Sequence, residues 1–468
     1  MRRFLHLTAC LFVLFFVSAI PVRSLPANDA CRIQILDSEN GWPVPLVELR
    51  TTHGMRFISD NAGVVCLDVP ELMNKPTWLS VIGHGYSIAK DGFGYEGVRV
   101  IPSRGGSLEI RVRRELPARR LGRITGGGLF AESQKLREHL DWNDQGILGC
   151  DSVQNTQHRG RMYWAWGDTI LSNYPLGRFH MIAGTTALQP LEKFQPPIKL
   201  AYQYFTDKEG IPDNVAKMPG DGPTWLNGLV SLPDQSGKQQ LCATYAKIRP
   251  PLTEYELGLC VWNEDSDRFE PFKVLWSQSE GLAKPQRTPG GHAVRWAEDA
   301  DHEWILFGDP FPSLRCKPTF EDWCSPENWQ PLDPQPTVLS SDGTRTVKVH
   351  RGAIAWNDYL NCWVSVFTEF GGESSQLGEL WFATASQPTG PWQDAIKVVT
   401  HDKYSFYNPQ LHPEFTAEGE SQLLFEATFT HTFSKTTTPV PRHDYNQVLY
   451  SLDLSEIRTA QKLSPGTR

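Results

Sequence analysis

A short apolar phrase that ends close to an acidic residue recurs five times in this chain, and the recurrence constrains the fold more than any other feature. The copies begin at residues 162, 241, 304, 363 and 422. Each is rich in aromatic and β-branched residues, as expected of a strand that is covered on both faces. A period of roughly 60 to 80 residues is that of a repeated supersecondary unit. The sequence therefore predicts an all-β chain whose larger part is a five-bladed β-propeller.

Each phrase has flanking runs that resemble the neighbouring strands of a sheet. An apolar run precedes every phrase and another follows it, except in the third blade, where no third strand is evident. The connections are rich in Asn, Asp, Gly and Pro, which favour turns. The preceding runs, predicted as innermost strands that line a central channel, lie at 149–153, 228–232, 292–296, 352–356 and 408–412. We therefore predict that the propeller spans residues 141–455.

Residues 31–114 carry a different pattern, with short strands separated by frequent turns. Apolar and polar residues alternate at 32–36 and 107–112, which indicates half-buried antiparallel strands and hence a small β-sandwich. With its turns at 37–41 (Asp-Ser-Glu-Asn-Gly) and 60–63 (Asp-Asn-Ala-Gly), the segment resembles the transthyretin-like and carboxypeptidase-regulatory-like domains of secreted proteins. We expect this module to pack or space the propeller without chemistry of its own.

The remaining segments are predicted as connections and a leader. Residues 115–140 begin with arginines, continue into a Gly-rich run and are predicted to form a linker with one short helix. Residues 456–468 are polar and are predicted to form a flexible tail. Residues 1–24 combine an Arg-Arg start with an apolar stretch, which is typical of a secretory signal peptide. We therefore expect a chain that is secreted, periplasmic or exposed at the cell surface.

Cysteine usage fits an oxidising compartment. The chain has nine cysteines, and one of them, Cys10, belongs to the predicted signal peptide. An even number in an exported chain favours disulfides over thiol chemistry. From spacing and neighbouring strands, the predicted pairs are Cys31 with Cys66, Cys242 with Cys260, and Cys316 with Cys324.

Charge and composition exclude several classes of partner. The formal net charge is −8, without a basic stripe that could neutralise phosphates, so nucleic acid is excluded as a partner. No apolar run beyond the leader has the roughly 20 residues of a membrane-spanning helix. No CxxC motif or paired histidine spacing indicates a metal, and no cofactor is required. Acids that converge on a channel are compatible with a structural calcium ion, although no spaced ligand set demands one.

Two aspartates of the first blade are the main candidates for chemistry. Asp151 belongs to the predicted innermost strand, where water in the channel makes a carboxylate tolerable. Asp168 ends the second strand, and Gly167 before it leaves room for another group to approach closely. Most glycoside hydrolases use two facing carboxyls, one as acid and the other as nucleophile or base. The alternatives are a hydrogen-bond anchor for Asp151 and a turn residue for Asp168.

Other candidates lie at equivalent positions of the later blades. Glu369 ends the second strand of blade four and is predicted as a third catalytic carboxylate, which could tune the pKa of an acid by like-charge repulsion. Asp309 lies at the same position in blade three but precedes a proline and is interpreted as a turn residue. The predicted substrate-binding residues lie at or beside innermost strands and could bind sugar hydroxyls: His292, His350, Arg351, Tyr407 and Asn408.

Short motifs connect these residues to a known group of proteins. Gly149-Cys150-Asp151, then Trp166-Gly167-Asp168-Thr169, and later the Ser-Gln-Pro-Thr-Gly-Pro-Trp turn at 386–392 resemble the secreted propellers related to glycoside hydrolase family 43. The resemblance is stronger to the domain family that includes endo-D-arabinanases. It implies that Asp151 and Asp168 are the catalytic pair, although the family also contains members without known activity.

The sequence thus leads to one preferred function and two alternatives. The preferred function is a secreted glycoside hydrolase that cleaves a polysaccharide or oligosaccharide with a pair of carboxylates. The first alternative is a non-catalytic propeller that binds carbohydrate or a surface through the same polar channel. The second alternative is a protein-interaction scaffold, which an apolar rim would favour. Fold alone does not separate the three.

Overall fold

The computed structural model describes residues 29–143, 146–172, 174–178, 181–281 and 283–458. The predicted signal peptide therefore lies outside the described residues. The N-terminal part contains eight strands: β1 (Cys31–Asp37), β2 (Glu48–Thr51), β3 (Arg56–Ile58), β4 (Val64–Leu67), β5 (Thr77–Ile82), β6 (Tyr86–Ser87), β7 (Gly97–Val100) and β8 (Ser107–Arg114). They form two four-stranded sheets, ordered β4-β1-β8-β6 and β3-β2-β5-β7.

One apolar cluster is shared by the two N-terminal sheets. Ile33 and Ile110 come from one sheet, Leu49 and Val81 come from the other, and all four are buried. The alternation predicted at 32–36 is confirmed, since every second residue of β1 is buried. The predicted antiparallel arrangement is wrong for the central pair, because β1 runs parallel to β8. Alternation reports which face of a strand is buried and carries no information on the direction of its neighbour.

The rest of the chain is also almost entirely β-structure. Its strands are β9 (Arg119–Arg123), β10 (Ile147–Cys150), β11 (Gln154–His158), β12 (Arg161–Trp166), β13 (Thr169–Leu171), β14 (Tyr174–Arg178), β15 (Ile182–Ala187), β16 (Gln203–Tyr204), β17 (Thr224–Pro233), β18 (Gln239–Arg249), β19 (Thr253–Asn263), β20 (Arg268–Ser277), β21 (His292–Ala297), β22 (Glu303–Gly308), β23 (Pro312–Cys316), β24 (Gln330–Pro331), β25 (Thr337–Leu339), β26 (Thr346–Asn357), β27 (Cys362–Glu369), β28 (Glu379–Ala385), β29 (Gln393–Thr400), β30 (Ser405–Leu411), β31 (Gln422–Thr430) and β32 (Asn446–Asp453).

Five sheets follow one another along this part of the chain. Their orders are β11-β12-β15-β16, β17-β18-β19-β20, β21-β22-β23-β24, β25-β26-β27-β28-β29 and β30-β31-β32-β9, and we number them sheets 1 to 5. Each innermost strand contacts that of the next sheet: β11 with β17, β17 with β21, β21 with β26, and β26 with β30. Sheet 5 returns to sheet 1, where Gln410 donates a hydrogen bond of 2.7 Å to Asn155.

The recurring apolar phrases occupy equivalent strands. They coincide with β12, β18, β22, β27 and β31, each flanked on both sides by a sheet partner. Their side chains are largely buried, and β27 is buried throughout. Two strand predictions are corrected. The third strand of blade three does exist, as β23. The innermost strand of sheet 1 is β11, and the run at 149–153 instead includes β10, which belongs to a separate small sheet, β10-β13-β14.

The segment predicted as a linker at 115–140 closes sheet 5. Its strand β9 pairs antiparallel with β32, with Arg123 opposite Val448. The sequence suggested a linker because arginines are usually exposed, but Arg120 is only 2% exposed. The guanidinium of Arg120 donates hydrogen bonds to the backbone carbonyls of Pro45 (3.0 Å) and Gly83 (2.8 Å) in the N-terminal part. A buried charge is therefore solvated by main-chain dipoles.

Asn61 joins the N-terminal sheets to the same closing strand. Its side chain is fully buried, donates to the carbonyl of Arg123 (2.8 Å) and accepts from the N–H of Arg123 (2.9 Å). We expect Asn61→Ala to lower the free energy of unfolding by about 2–4 kcal/mol, because two buried backbone groups lose their partners. Chemical denaturation of both proteins measures the difference. An unchanged midpoint would show that β9 does not depend on this contact.

The predicted disulfides are absent, since all eight cysteines of the described residues are free. The register explains two of the three pairs. Cys31 lies opposite Leu67, so that Cys66, one residue along, points to the other face of the sheet. Cys242 likewise lies opposite Val261, which places Cys260 on the opposite face. Burial raises the pKa values of Cys242 and Cys260, so that these thiols stay protonated.

Helices are few and short among the described residues. The α-helices are α1 (Ala131–Lys135), α2 (Phe320–Trp323) and α3 (Leu454–Arg458), and the 3₁₀-helices are Pro70–Leu72, Leu191–Phe194, Gln278–Glu280, Pro326–Asn328 and Pro413–Phe415. The short helix predicted within 115–140 corresponds to α1. The predicted tail begins within α3, and its residues 459–468 lie outside the described residues. None of the described helices is long and apolar enough to cross a membrane.

Candidate active site

A cleft of about 860 Å³ opens where the innermost strands of the five sheets meet. This volume is near the upper end for small-molecule sites. Its lining includes seven of the eight residues that the sequence predicted as functional: Asp151, Asp168, His292, His350, Arg351, Tyr407 and Asn408. The eighth, Glu369, does not line it.

The small sheet β10-β13-β14 brings Asp151 and Asp168 together. Cys150 pairs with Thr169, so the two aspartates are the next residues beyond this pair on neighbouring antiparallel strands. The N–H of Gly167 donates to the carbonyl of Asp151 (2.8 Å). A Cβ at Gly167 would lie 2.3 Å from Oδ1 of Asp151. The predicted need for space at Gly167 is confirmed, and the group that uses this space is the carboxylate of Asp151.

Several donors hold the carboxylate of Asp151. Tyr407 donates its hydroxyl hydrogen to Oδ2 (2.6 Å), and the side chains of Tyr445 and Ser152 and the N–H of Asp168 also bond to it. Burial raises the pKa of Asp151, while these hydrogen bonds oppose the rise. Tyrosines and an N–H are donors to a carboxylate, so the network favours the ionised form.

The carboxyl of Asp168 has fewer partners. The indole of Trp225 donates a hydrogen bond to it, whereas Oδ1 is buried without a hydrogen-bond partner among the described residues. Burial, followed by repulsion from Asp151, raises the pKa of Asp168 to about 6. Burial thus raises the pKa of both carboxyls, but Asp151 accepts several hydrogen bonds that oppose the rise, whereas Asp168 accepts one from Trp225 and is further raised by the charge of Asp151. Unequal environments of neighbouring carboxyls are typical of an acid and base pair.

A third carboxyl of the cleft comes from Asp309. It accepts a hydrogen bond from the N–H of Gly352 (2.8 Å) and lies 3.6 Å from Nε of Arg351. Burial raises the pKa of Asp309 to about 6, against the opposing charge of Arg351. The sequence pointed to a turn because a proline follows. The signal for the cleft was the position shared with Asp168, at the end of a second strand.

Two histidines on the cleft wall are uncharged near neutral pH. Burial, then the charge of Arg351, lowers the pKa of His292 to about 3. Burial also lowers the pKa of His350, whose Nδ1 is buried without a hydrogen-bond partner among the described residues. Neutral imidazoles can both donate to and accept from hydroxyl groups. Both side chains are thus suited to binding an uncharged polar ligand.

Left-handed backbone conformations cluster around the carboxyl pair. Ser152 has φ of +54°, Asn408 +49° and Tyr445 +59°. Asn408 bonds to Ser152 through its amide nitrogen and accepts from Arg351 (3.2 Å) through its carbonyl oxygen. Such conformations are costly for residues other than glycine, and they concentrate at functional sites.

Glu369, predicted as a catalytic residue, is instead buried inside sheet 4. Its carboxyl pairs with Arg345 and accepts a hydrogen bond of 2.9 Å from the indole of Trp381. The side chain is thus directed towards the neighbouring strand and away from the cleft. A position at the end of a strand places a residue near the rim of the sheet but does not determine the face to which its side chain points. Because side chains alternate between the two faces, an offset of one residue reverses that face.

In sheets 2 and 5, the residues in place of the acid that ends the apolar phrase have structural contacts. Lys247 is buried and donates to the carbonyls of Gly220 (3.0 Å) and Gly222 (2.9 Å). Glu426 is fully buried and lies 2.9 Å from Nε2 of His412. Burial opposes the protonation of His412, but hydrogen bonds to Glu414 and Glu426 overcome it and raise its pKa to about 9. These charges stabilise the fold beneath the cleft.

Aromatic residues also contribute to the cleft. Among tryptophans that could stack on sugar, Trp225 lines it, whereas Trp296 is buried. Phe370 and Phe433 line it too, and the sequence did not single them out because they lie in loops. Across the described ranges, no group of three or more His, Cys, Asp or Glu side chains is arranged to hold a metal ion.

Comparisons with known proteins give structural neighbours only. No protein-family model and no curated protein sequence matches the chain. Among solved structures, an exo-1,5-α-L-arabinanase from a bovine ruminal metagenomic library is 10% identical, with a TM-score of 0.36, over 66% of this chain and 94% of that one. A mutant α-L-arabinanase of Cellvibrio cellulosa is 12% identical, with a TM-score of 0.36, over 66% and 92%.

An exo-β-1,3-galactanase of Phanerochaete chrysosporium, solved with galactose, is 9% identical, with a TM-score of 0.37, over 69% of this chain and 63% of that one. With TM-scores below 0.5 and identities of 9–12%, these neighbours establish neither a family nor an activity for the chain. The function has to be argued from the residues of the cleft.

Proposed function

We propose that the chain is a five-bladed β-propeller glycoside hydrolase that acts on a polysaccharide outside the cytoplasm. Sheets 1 to 5 would be the blades, and the two N-terminal sheets would form the small β-sandwich in front of them. The succession of contacts between innermost strands, returning from sheet 5 to sheet 1, supports this architecture. The predicted signal peptide supports export.

The observation that carries the proposal is the pair Asp151 and Asp168 in one open cleft. Among the side chains that the structure describes, no Lys or Arg forms a salt bridge with either carboxylate, and Asp168 Oδ1 has no hydrogen-bond partner. Asp168, with a pKa of about 6, would give its proton to the glycosidic oxygen as the bond from the anomeric carbon breaks. Asp151 would attack that carbon or take a proton from the water that attacks it.

The remaining polar groups would bind the sugar. His292, His350, Tyr407 and Asn408 offer donors and acceptors to hydroxyls around the carboxyl pair. Asp309 and Arg351, which are 3.6 Å apart and both line the cleft, would add a charged clamp. Preorganised groups of this kind hold a substrate in the reactive orientation without moving during the reaction.

A screen of purified polysaccharides from plant, algal and bacterial walls tests the function. Release of reducing ends by the wild type, with products separated by chromatography, would support hydrolysis. Binding to a polysaccharide without release of products would instead support the non-catalytic carbohydrate-binding alternative. Neither binding nor release across the screen would overturn the proposal.

The pH profile provides a second test. Since Asp168 must be protonated to act as acid, we expect kcat/KM to fall as pH rises above about 6. Since Asp151 must be ionised, kcat/KM should also fall in acid, as this carboxylate becomes protonated. A bell-shaped profile with its alkaline limb near pH 6 is the expected result. Activity that stays constant to pH 9 would contradict the role given to Asp168.

A further inference from the structure

Phe433 is an exposed aromatic side chain at the rim of the cleft. Its side chain is 56% exposed, although most aromatic rings of the described residues are buried in the sheets. It belongs to the loop at 431–445 that joins β31 to β32 and also carries Tyr445. An apolar ring left in water beside a polar cleft is a common feature of ligand-binding surfaces.

The loop holds this ring in a fixed place. Phe433 has φ of +62°, a left-handed conformation that is unfavourable for a bulky residue. The N–H of Thr432 donates to Oγ1 of Thr430 (3.1 Å), and Oγ of Ser434 donates to the carbonyl of His431 (2.6 Å). The carbonyl of Phe433 accepts a hydrogen bond of 3.4 Å from Gln376. The backbone is therefore constrained on both sides of Phe433.

The ring is connected to the carboxyl pair through Tyr407. It contacts Tyr407 at right angles, with 5.9 Å between ring centroids, and Tyr407 in turn donates to Asp151. Phe370, the other exposed phenylalanine of the cleft, has both Lys348 Nζ at 4.5 Å and the ring of His350 at 5.9 Å against it. Phe433 is thus the more available of the two rings for a ligand.

The charges of the cleft limit what such a ligand can be. The two cations among its described lining residues are already paired, Lys284 with Glu254 and Arg351 with Asp309. No cation whose side chain the structure describes pairs with the carboxyls of Asp151 and Asp168. The cleft therefore opposes an anionic ligand and favours an uncharged one.

We propose that Phe433 is a substrate-binding residue that stacks on an uncharged sugar ring adjacent to the bond cleaved by Asp151 and Asp168. The inference rests on the proposed function. The C–H face of the sugar would cover the exposed phenyl ring, and its hydroxyls would remain within reach of the polar wall. Uronates and sulfated sugars would be disfavoured at this position.

Phe433→Gly is the informative variant, because glycine adopts the left-handed conformation without strain. In an Asp168→Asn background, which prevents turnover, calorimetry would measure the binding of neutral arabino- and galacto-oligosaccharides and of an anionic oligogalacturonide. We expect the Kd for the best neutral ligand to rise at least about 10-fold in Phe433→Gly, while Tm stays equal or increases. Phe433→Trp should retain binding.

Phe93→Ala is the matched control, since Phe93 is 90% exposed in the N-terminal part and does not line the cleft. It should leave both Kd and Tm unchanged. Equal affinity of Phe433→Gly and its parent, or preferential binding of the oligogalacturonide, would overturn the inference while leaving the proposed function intact. Failure of the wild type to bind or cleave any of these oligosaccharides, together with a negative polysaccharide screen, would overturn both.

Discussion

Replacing Asp168 by Asn should lower kcat by about 10²–10⁴-fold while changing substrate affinity little. This is the usual contribution of a general acid, and the amide of Asn cannot supply its proton. The substitution keeps the shape of the side chain and removes only its ionisation. Initial rates on the best polysaccharide from the screen, compared at the pH optimum, measure the effect. Asp151→Asn should cause a loss of similar size, since the two carboxyls act in one reaction.

The loss in Asp168→Asn should not come from unfolding. The pKa of Asp168 is raised in the folded chain, so folding favours the protonated carboxyl. The stability gained in this way is present below about pH 4 and is lost as pH rises through about 6. At pH 7 the uncharged Asn should therefore give a Tm no lower than that of the wild type. A low Tm together with low activity would point to damage to the fold.

Glu369→Gln tests whether Glu369 is catalytic, as the sequence predicted, or structural, as its burial inside sheet 4 indicates. It should reduce stability, because Arg345 loses the buried one of its two carboxylate partners, Glu369 and Glu373. The residual folded enzyme should keep its kcat. A loss of kcat as large as that of Asp168→Asn, at an unchanged Tm, would return Glu369 to the list of catalytic candidates and contradict the cleft described above.

Gly167→Ala should reduce kcat by about 10²-fold or more with only a modest loss of stability. The added Cβ would lie 2.3 Å from Oδ1 of Asp151, a distance that forces the carboxylate to move. Because the obstructing atom is the end of a side chain, the carboxylate can shift while the strands stay in place. Misplacement of a reacting group by about 1 Å can cost this much in rate. Circular dichroism and Tm would verify the fold.

Gly92→Ala is the control for this substitution. No atom lies within 4 Å of a Cβ built at Gly92, so activity and Tm should both be unaffected. If Gly167→Ala keeps full activity, the position of the Asp151 carboxylate is not important for the reaction. If both variants lose activity, the effect does not arise from the contact with Asp151.

The repeated apolar phrases were predictable because burial on both faces leaves a direct trace in composition. The phrases correspond to β12, β18, β22, β27 and β31, each paired on both sides, and Asp168 and Asp309 follow two of these strands into the cleft. The short sheet of β10, β13 and β14 was not predictable, since strands of 3 to 5 residues carry too little periodicity. That sheet, rather than the innermost strand, places Asp151 beside Asp168.

Offsets of one residue in strand register explain several predictions that were wrong. The cysteines of two predicted pairs lie on adjacent strands, but an offset of one position puts them on opposite faces. The same sensitivity directs Glu369 away from the cleft. Loop residues such as Phe433 were missed for another reason, because their placement depends on contacts with other loops that no local pattern encodes.

The pairing of β9 with β32 has a consequence for how the chain is made. Arg123 is synthesised well before Val448, yet the two residues are partners in one ladder. During translation, sheet 5 therefore stays incomplete until β32 has emerged, and such distant pairing is slow to form. Through Asn61 and Arg120, the N-terminal sheets would hold β9 in position until β32 is available to pair with it.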